Sequence, residues 1–389
     1  MVDSNAHDLV RRILDDLDKH LDPQVQQQIR RHHTQSATWE HVVRPPALVR
    51  PRWGVSTGLP YPVAEAVEDP AKMLANELQR GQACIVDWLI VRDDTPLQVR
   101  PDFGIGLVAS VFGSRLEVVE NNPPWVHPLA EGENEIQKSL EAALDKLDVS
   151  TSHRSGWIPR VEKTLDYYQE AFSEYPNVKA SIATILPDLQ GPYETAGILW
   201  GSSIFLALLT APDLVDRLAR AVGQVMVHLH DRFRQWVNRE LLPDGFSHQH
   251  GSIIRGNLLL RCDSNVMISP EMYASQVFKH DRRVLKAVGG GSFHSCGCWK
   301  HNIPTIMAAE EVGSLDFGTT QTHMYDMDAV YRTAKQYRKH LNLVTVSPED
   351  LSSGCAAKRF PTGVTLLCMV DDAKVATELM KSYVRNSQS

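Results

Sequence analysis

The chain lacks any run of about 18 uncharged apolar residues, the length that a transmembrane helix needs. Its N-terminus, Met1-Val2-Asp3, lacks the basic start and apolar stretch of a signal peptide. Lysine and arginine number 40 against 47 acidic residues, and the two signs are interspersed, which disfavours nucleic-acid binding. The 6 cysteines in 389 residues are too sparse for a disulfide scaffold. We therefore expect a cytoplasmic protein with free thiols that binds neither membrane nor nucleic acid.

The first 45 residues have helical periodicity, with Leu9, Ile13 and Leu17 on one face. Asp22-Pro23 ends this helix and starts a second, polar one. We interpret residues 1–69 as an N-terminal helical extension. Such an extension suits a cap or a contact surface for another subunit, so a homodimer is among the expected assemblies.

From about residue 85, short apolar runs alternate with longer amphipathic segments. The clearest runs are residues 182–186, 258–260, 343–346 and 364–367, and the strongest helical patterns are residues 214–240 and 373–383. Alternation of this kind predicts an α/β fold with a parallel sheet. No Gly-x-Gly-x-x-Gly turn follows a predicted strand, which disfavours dinucleotide binding. Periodicity alone does not distinguish a closed barrel from an open sheet.

The sharpest local motif is His294-Ser295-Cys296, which follows a predicted strand. In an extended backbone, residues two apart project from the same face, so the imidazole and the thiol can bind one ion. Histidine and cysteine are typical zinc ligands. The alternative interpretation is a buried histidine beside structural thiols.

The third zinc ligand has two candidates among the distal cysteines. Cys368 ends the last predicted strand, whereas Cys355 lies in a turn-like segment. Chemistry in α/β barrels gathers at the carboxyl ends of strands, and this favours Cys368 over Cys355. Cys298 is a further thiol near the motif, but a Cys-x-Cys site would leave His294 as a spectator.

Polar residues follow three other predicted strands or turns. Asp188, Gln190 and Tyr193 come directly after the strand that ends at Leu186, although Asp188 and Gln190 could instead cap the next helix.

Asp263 precedes a helix start at Ser269-Pro270, and Met267 lies between them. Asp94 lies in a charged turn. We expect Asp188, Tyr193 and Asp263 to be catalytic and Gln190, Met267 and Asp94 to bind substrate.

Several of these segments together resemble the uroporphyrinogen decarboxylase superfamily, over roughly residues 180–320. The matching pieces, in order, are Asp188-Leu189-Gln190-Gly191-Pro192, residues 208–215, Ile268-Ser269-Pro270-Glu271 and His294-Ser295-Cys296-Gly297. The resemblance implies a (β/α)8 TIM barrel, which we assign to residues 70–389.

The superfamily also contains zinc-dependent, corrinoid-linked methyltransferases, and the chain resembles that branch more closely. The arginine-rich N-terminal signature of the decarboxylases, which holds substrate carboxylates, has no counterpart here. The resemblance thus implies methyl transfer between a small O-, N- or S-methylated compound, or a thiol, and a corrinoid, at a Zn²⁺ bound by His294, Cys296 and a distal cysteine. It also leads us to expect few cationic groups in the pocket. A carboxy-lyase and a non-catalytic barrel that binds a tetrapyrrole or a partner protein are the alternatives.

The corrinoid itself should arrive on a separate partner protein. A corrinoid domain needs a stretch resembling Asp-x-His-x-x-Gly, and the nearest approach is residues 18–23, which end in Pro23 instead of glycine. That segment lies in a helical region too short to form such a domain.

Overall fold

A computed structural model describes residues 4–53, 58–80, 85–119, 121–249, 251–318 and 324–387. Within these ranges, no helix is both long enough and apolar enough to cross a membrane. The strands are β1 (Ala47–Trp53), β2 (Gln98–Val99), β3 (Leu116–Glu117), β4 (Trp125–Val126), β5 (Ala183–Thr184), β6 (Phe246–Gln249), β7 (Ser252–Arg255), β8 (Leu258–Arg261), β9 (Gly291–His294), β10 (Val312–Asp316), β11 (His340–Thr345) and β12 (Val364–Asp372).

The helices alternate with these strands along much of the chain. They are α1 (Ser4–His20), α2 (Pro23–Ala37), α3 (Val63–Ala66), α4 (Pro70–Arg80), α5 (Ile85–Val91), α6 (Leu107–Val111), α7 (Glu133–Lys146), α8 (Ile158–Phe172), α9 (Pro176–Ser181), α10 (Pro192–Trp200), α11 (Ile204–Thr210), α12 (Pro212–Phe233), α13 (Pro270–Met272), α14 (Phe278–Val288), α15 (Ile303–Met307), α16 (Met327–Tyr337), α17 (Pro348–Ser352), α18 (Cys355–Arg359) and α19 (Ala373–Asn386). Asp22 caps α2 through its side chain, and Ser269 caps α13, as the sequence predicts.

The central sheet has six strands in the order β1-β12-β11-β10-β9-β8, and every adjacent pair is parallel. The predicted α/β fold with a parallel sheet is therefore confirmed. A second parallel pair, β2 and β5, lies beside it. Main-chain hydrogen bonds join the segments that flank β2 and β5 to the two edge strands of the central sheet: Asp94 N–H, before β2, donates to Ala47 O of β1, and Arg261 N–H of β8 donates to Gln190 O, after β5.

The two faces of the central sheet differ in what they contact. On β12, Leu366, Cys368 and Val370 belong to the large apolar core that the helices share. Leu367, which lies between them in sequence, instead packs with Leu48 on the other face. We call this second face, which also carries His294 and Asp316, the inner face.

The antiparallel hairpin of β6 and β7 packs against the inner face. Ser252, at the start of β7, is fully buried, and its Oγ donates a hydrogen bond to Asn342 Oδ1 of β11 at 2.7 Å. The main-chain N–H of Arg255, at the end of β7, donates a hydrogen bond to Ser314 Oγ of β10 at 2.9 Å. The hairpin therefore fills space on the inner face with polar contacts.

The boundary that we drew at residue 69 does not match the sheet. β1 pairs with β12 from Ala47 to Trp53, so part of the expected extension is a strand of the central sheet. α1 packs against α4, and its residues Val10, Leu14 and Leu17 are buried in the main core. The periodicity revealed the two helices, but Pro51 inside the strand concealed β1, because proline is uncommon within strands.

Candidate metal centre

His294 is the last residue of β9, and its side chain lies on the inner face, 4% exposed. Its neighbour Phe293 points to the helices, where it contacts Trp299 and Tyr273. The apolar side of β9 therefore fixes the direction of the histidine, which faces the carboxyl end of the sheet on the inner side.

A chain of buried hydrogen bonds orients the imidazole of His294. Its Nδ1 lies 2.8 Å from Oδ1 of Asp316, on the neighbouring strand β10. Asn342 Nδ2 donates to the other oxygen of Asp316, at 2.5 Å, and Ser252 Oγ donates to Asn342 Oδ1. Asp316, Asn342 and Ser252 are all fully buried. Because Asp316 accepts a hydrogen bond from Nδ1–H, the Nε2 atom is left to bind a ligand.

Nε2 of His294 faces two further groups. Cys296 Sγ lies 3.4 Å from it, and Asp263 Oδ1 lies 3.9 Å from it. Asp263 Oδ1 also accepts the main-chain N–H of Cys296 at 2.6 Å, which ties the loop after β8 to the loop after β9. The three ligand atoms lie within 4.8 Å of one another, in the one such group among the described residues.

This arrangement fits a tetrahedral zinc ion. An ion about 2.0 Å from nitrogen and about 2.3 Å from sulfur holds those two atoms about 3.5 Å apart, close to the separation of His294 Nε2 and Cys296 Sγ. The carboxylate of Asp263 is partly exposed, so the open side of the group faces solvent. Three protein ligands with one open position are typical of catalytic zinc sites.

The ring of His294 sits in an electrostatic field that favours its protonated form when no ion is bound. Burial alone would lower its pKa, but the hydrogen bonds to Asp316 and Cys296 outweigh it and raise the pKa to about 10. An imidazole must be neutral at the nitrogen that binds a metal, so metal binding here releases a proton.

The conformation of Gly297 and two hydrogen bonds of Tyr325 fix the loop that carries Cys296. Gly297 has a φ of 77°, a left-handed conformation that glycine adopts easily. Tyr325 Oη donates to Gly297 O at 2.5 Å and accepts the main-chain N–H of Trp299. The rigid turn presents the Cys296 thiol outward, where it is exposed.

The structure does not bring Cys368 to His294 and Cys296. Its side chain is fully buried and belongs to the apolar core on the helix side of the sheet, opposite the inner face. Burial raises the pKa of its thiol to about 12, so it is unsuited to act as a thiolate ligand. The sequence analysis took Cys368 as the end of the last strand, but β12 continues to Asp372, and the alternation of faces turns its side chain toward the helices.

Cys355 is also outside the three-residue group. It is exposed at the start of α18, and the nearby Ser352 accepts a hydrogen bond from Asn386, the last residue of α19. The structure therefore does not bring Cys355 to His294 and Cys296. Cys298 lies nearer, but its Sγ faces Met324 O at 4.0 Å and is not part of the three-residue group.

Asp188 lies at the same end of the sheet as His294. Its Oδ1 accepts a hydrogen bond from Arg261 Nη1 at 2.7 Å, and Arg261 is the register partner of His294 on the next strand. Arg100, just after β2, lies 3.9 Å from the other oxygen of Asp188 and 2.9 Å from Asp102. The expectation of few cationic groups is therefore wrong, because two arginines line this end of the sheet.

Gln190 and Tyr193 occupy structural positions. Gln190 has a φ of 57°, donates to Asp188 Oδ1 through both its main-chain N–H and its side chain, and accepts the N–H of Arg261. Tyr193 is 1% exposed at the start of α10, and its hydroxyl has no hydrogen-bond partner among the described residues. Burial raises its pKa.

The two other predicted substrate contacts do not converge on the centre. Asp94 lies beside the first residue of β1, where it accepts the N–H of Ala47 and pairs with Arg44. It is therefore at the amino end of the parallel strands, opposite His294, and is not available to a substrate there. Met267 lies at the correct end, in the short helix Asp263–Met267, but its side chain is 74% exposed.

The overall fold is similar to that of a methyltransferase from Methanosarcina mazei. The two structures superpose with a TM-score of 0.61 at 13% sequence identity, and the match covers 92% of this chain and 98% of that one. At this identity, the likeness shows a shared fold. No protein-family model and no curated protein sequence matches the chain.

Sequence reasoning missed Asp316, Asn342 and Arg261 as functional residues. Asp316 and Arg261 end β10 and β8, so a polar residue at a strand's carboxyl end was the available signal for these two. Asn342 lies inside β11, where a polar residue among apolar neighbours was the signal. Asp263 was predicted to be catalytic, and the structure instead groups it with the two expected ligands.

Proposed function

We propose that the chain is a zinc-dependent methyltransferase, with the ion held by His294, Cys296 and Asp263. The observation that carries the proposal is the three-atom group at the carboxyl end of a parallel sheet, where α/β enzymes place their chemistry. The similarity of the fold to that of a methyltransferase supports it. The links between the two sheets support closure into an eight-stranded barrel of β1, β2, β5 and β8–β12.

Within this proposal, the protein's own residues prepare the site. Asp316 keeps a proton on Nδ1 of His294, so that Nε2 stays available. The hydrogen bond from the N–H of Cys296 fixes Asp263 beside the thiol. A zinc ion there would supply Lewis acidity, either to activate a thiol or to polarise the atom that carries the methyl group.

The arginines and Asp188 would orient the substrate. Arg261 is 7% exposed, and its Nη1 donates to Asp188 Oδ1 at 2.7 Å. Its strand neighbour is His294, and parallel strands lie about 4.8 Å apart. A polar or anionic group held by Arg261 would therefore lie beside the metal ligands.

The methyl acceptor or donor would be a corrinoid on a separate protein, which docks at the carboxyl end of the sheet. The partly exposed Asp263 and exposed Cys296 support access from that side. We propose that small O-, N- or S-methylated compounds are the other substrates.

The test is to mix the protein with a reduced corrinoid protein and a panel of methylated donors and to follow methylcobalamin by absorbance. We expect formation with at least one donor, and loss of it in Cys296→Ser. Cys355→Ser, which alters an exposed thiol outside the three-residue group, is the matched control. Methylcobalamin formation that is equal in all three proteins would contradict the proposal.

A carboxy-lyase is the second candidate, because of the two arginines. Arg100 and Arg261 lie at the same end as His294, and guanidinium groups are well suited to hold a substrate carboxylate. Release of carbon dioxide from a porphyrinogen or an aromatic acid, without methyl-corrinoid formation from any donor, would favour this candidate.

A further inference from the structure

A separate cavity of about 120 Å³ lies beside the carboxyl end of β2. It lies between the loop that follows β2 and helices α3 and α4. Its walls are mostly apolar and include Leu59, Val67, Met73 and Pro124. Two carboxyl groups, those of Glu77 and Asp102, also line it. A cavity of about 150 Å³ is known to hold benzene, so this one suits a molecule of about five heavy atoms.

Each of the two carboxyl groups has one oxygen that forms no hydrogen bond with any residue in the described part of the chain. Glu77 is 8% exposed, and its Oε2 accepts the main-chain N–H of Arg100 at 2.7 Å, whereas Oε1 makes no hydrogen bond to any described residue. Asp102 uses only Oδ1, which accepts from Gly104 N–H and pairs with Arg100. Neither oxygen is among the fully buried side-chain atoms of the described residues that lack a partner, so both are accessible and can accept hydrogen bonds from an occupant of the cavity.

The local charge favours a cation. Glu77, Asp102 and Asp188 bring three carboxyl groups, against the two guanidinium groups of Arg100 and Arg261. Burial and the nearby Asp102 raise the pKa of Glu77 to about 8, so a proton on Glu77 balances the cluster near neutral pH. A bound cation would replace that proton.

We propose that this cavity binds a short alkylammonium ion, with its ammonium between Glu77 and Asp102 and its carbon chain against the apolar walls. An inorganic cation would gain nothing from those walls, and a neutral hydrocarbon would leave the carboxyl oxygens unpaired. The proposal does not depend on the metal centre.

The test is calorimetric titration of the full chain with n-butylammonium chloride, with butan-1-ol as a neutral compound of equal heavy-atom count. We expect saturable binding of the amine, and binding of the alcohol that is weaker by about tenfold or more, which corresponds to about 1.4 kcal/mol. Equal affinity for the two compounds, or no saturable binding of the amine, would overturn the proposal.

Variants assign the binding to the two carboxyl groups. Glu77→Gln and Asp102→Asn keep the shape of each side chain and should each weaken amine binding about tenfold, whereas Glu65→Gln, on a neighbouring exposed ion pair, should not. Asp102 is partly exposed, so Asp102→Asn should fold even if Glu77→Gln does not. Unchanged amine affinity in Asp102→Asn would place the ammonium elsewhere and contradict the proposal.

Discussion

His294 and Asp316 lie on adjacent parallel strands, with His294 Nδ1 2.8 Å from Asp316 Oδ1 in a site where Asp316 is fully buried. This pair belongs to a hydrogen-bonded chain that runs through Asn342 to Ser252. Three hydrogen bonds between side chains therefore connect the hairpin on the inner face to the candidate metal centre.

This series of hydrogen bonds predicts that mutation of Asp316 or Asn342, neither of which is a proposed ligand, lowers the affinity for zinc. Asp316→Asn and Asn342→Leu should each weaken zinc binding by about 10–100-fold, because the orientation and basicity of His294 depend on them. Competition with a chromogenic chelator measures the effect. Thr365→Val, a buried change on the same face outside the chain, should leave zinc affinity unchanged. Equal affinity in all four proteins would show that the chain does not position the ligand.

The buried pair of Asp188 and Arg261 should couple strongly in stability. Removal of one partner leaves an uncompensated charge at a site about 8% exposed, and such losses are about 3–5 kcal/mol. We expect a double-mutant cycle with Asp188→Asn and Arg261→Gln, measured by urea unfolding, to give a coupling above about 1 kcal/mol. The exposed pair Lys381–Glu378 is the control and should give less than about 1 kcal/mol. Equal coupling in both pairs would mean that Arg261 does not rely on Asp188.

Buried neutral histidines on the inner face predict acid sensitivity. Burial lowers the pKa of His340 to about 3, while hydrogen bonds join its ring to Thr365 and Ser314. The unfolded chain binds a proton at this position near pH 6.5, but the folded chain does not until about pH 3. Stability is therefore full above pH 6.5 and is lost as the pH falls toward 3.

The contribution of His340 follows from a comparison of two proteins. Between pH 7 and pH 5, the wild type should lose about 2 kcal/mol more unfolding free energy than His340→Asn, since the other groups titrate alike in both. His20→Asn, at an exposed histidine, should follow the wild type. Parallel stability curves for wild type and His340→Asn would show that His340 titrates normally.

The position of β1 predicts that residues 70–389 do not fold alone. Deletion of residues 1–69 removes a strand that pairs with β12 and the buried face of α1. We expect no cooperative thermal transition by circular dichroism for this fragment. A cooperative transition within a few degrees of that of the full chain would contradict this prediction and support the interpretation of residues 1–69 as a separate extension.

The sequence predicts the elements that have a local hydrophobic pattern, but not the contacts between residues that are distant in sequence. Helices α1, α2, α12 and α19 and strands β5, β8, β11 and β12 follow from periodicity, because burial on one face leaves a local pattern. Contacts between distant strands leave no such pattern. The pairing of His294 with Asp316 and the approach of Asp263 depend on strand order, which one sequence does not encode locally.

Cys368 and Asp94 illustrate two different limits. For Cys368, the strand was predicted, but β12 runs on to Asp372, and one residue of alternation decides which face a side chain takes. Asp94 was predicted to bind substrate from a charged turn, whereas that turn precedes β2 and its Asp94 accepts the N–H of Ala47 at the start of β1. Polar residues in turns are equally common at both ends of a sheet.

The most direct test of the account is the zinc content of protein purified without added metal or chelator, measured by elemental analysis. We expect about one zinc per chain in the wild type, in Cys368→Ala and in Cys355→Ala. His294→Ala, Cys296→Ala and Asp263→Ala should each lose the ion while keeping the wild-type circular dichroism spectrum, because a core of this size does not depend on one ion. Zinc that is absent from the wild type and not taken up on addition, or that is retained in all three ligand variants, would contradict the metal centre.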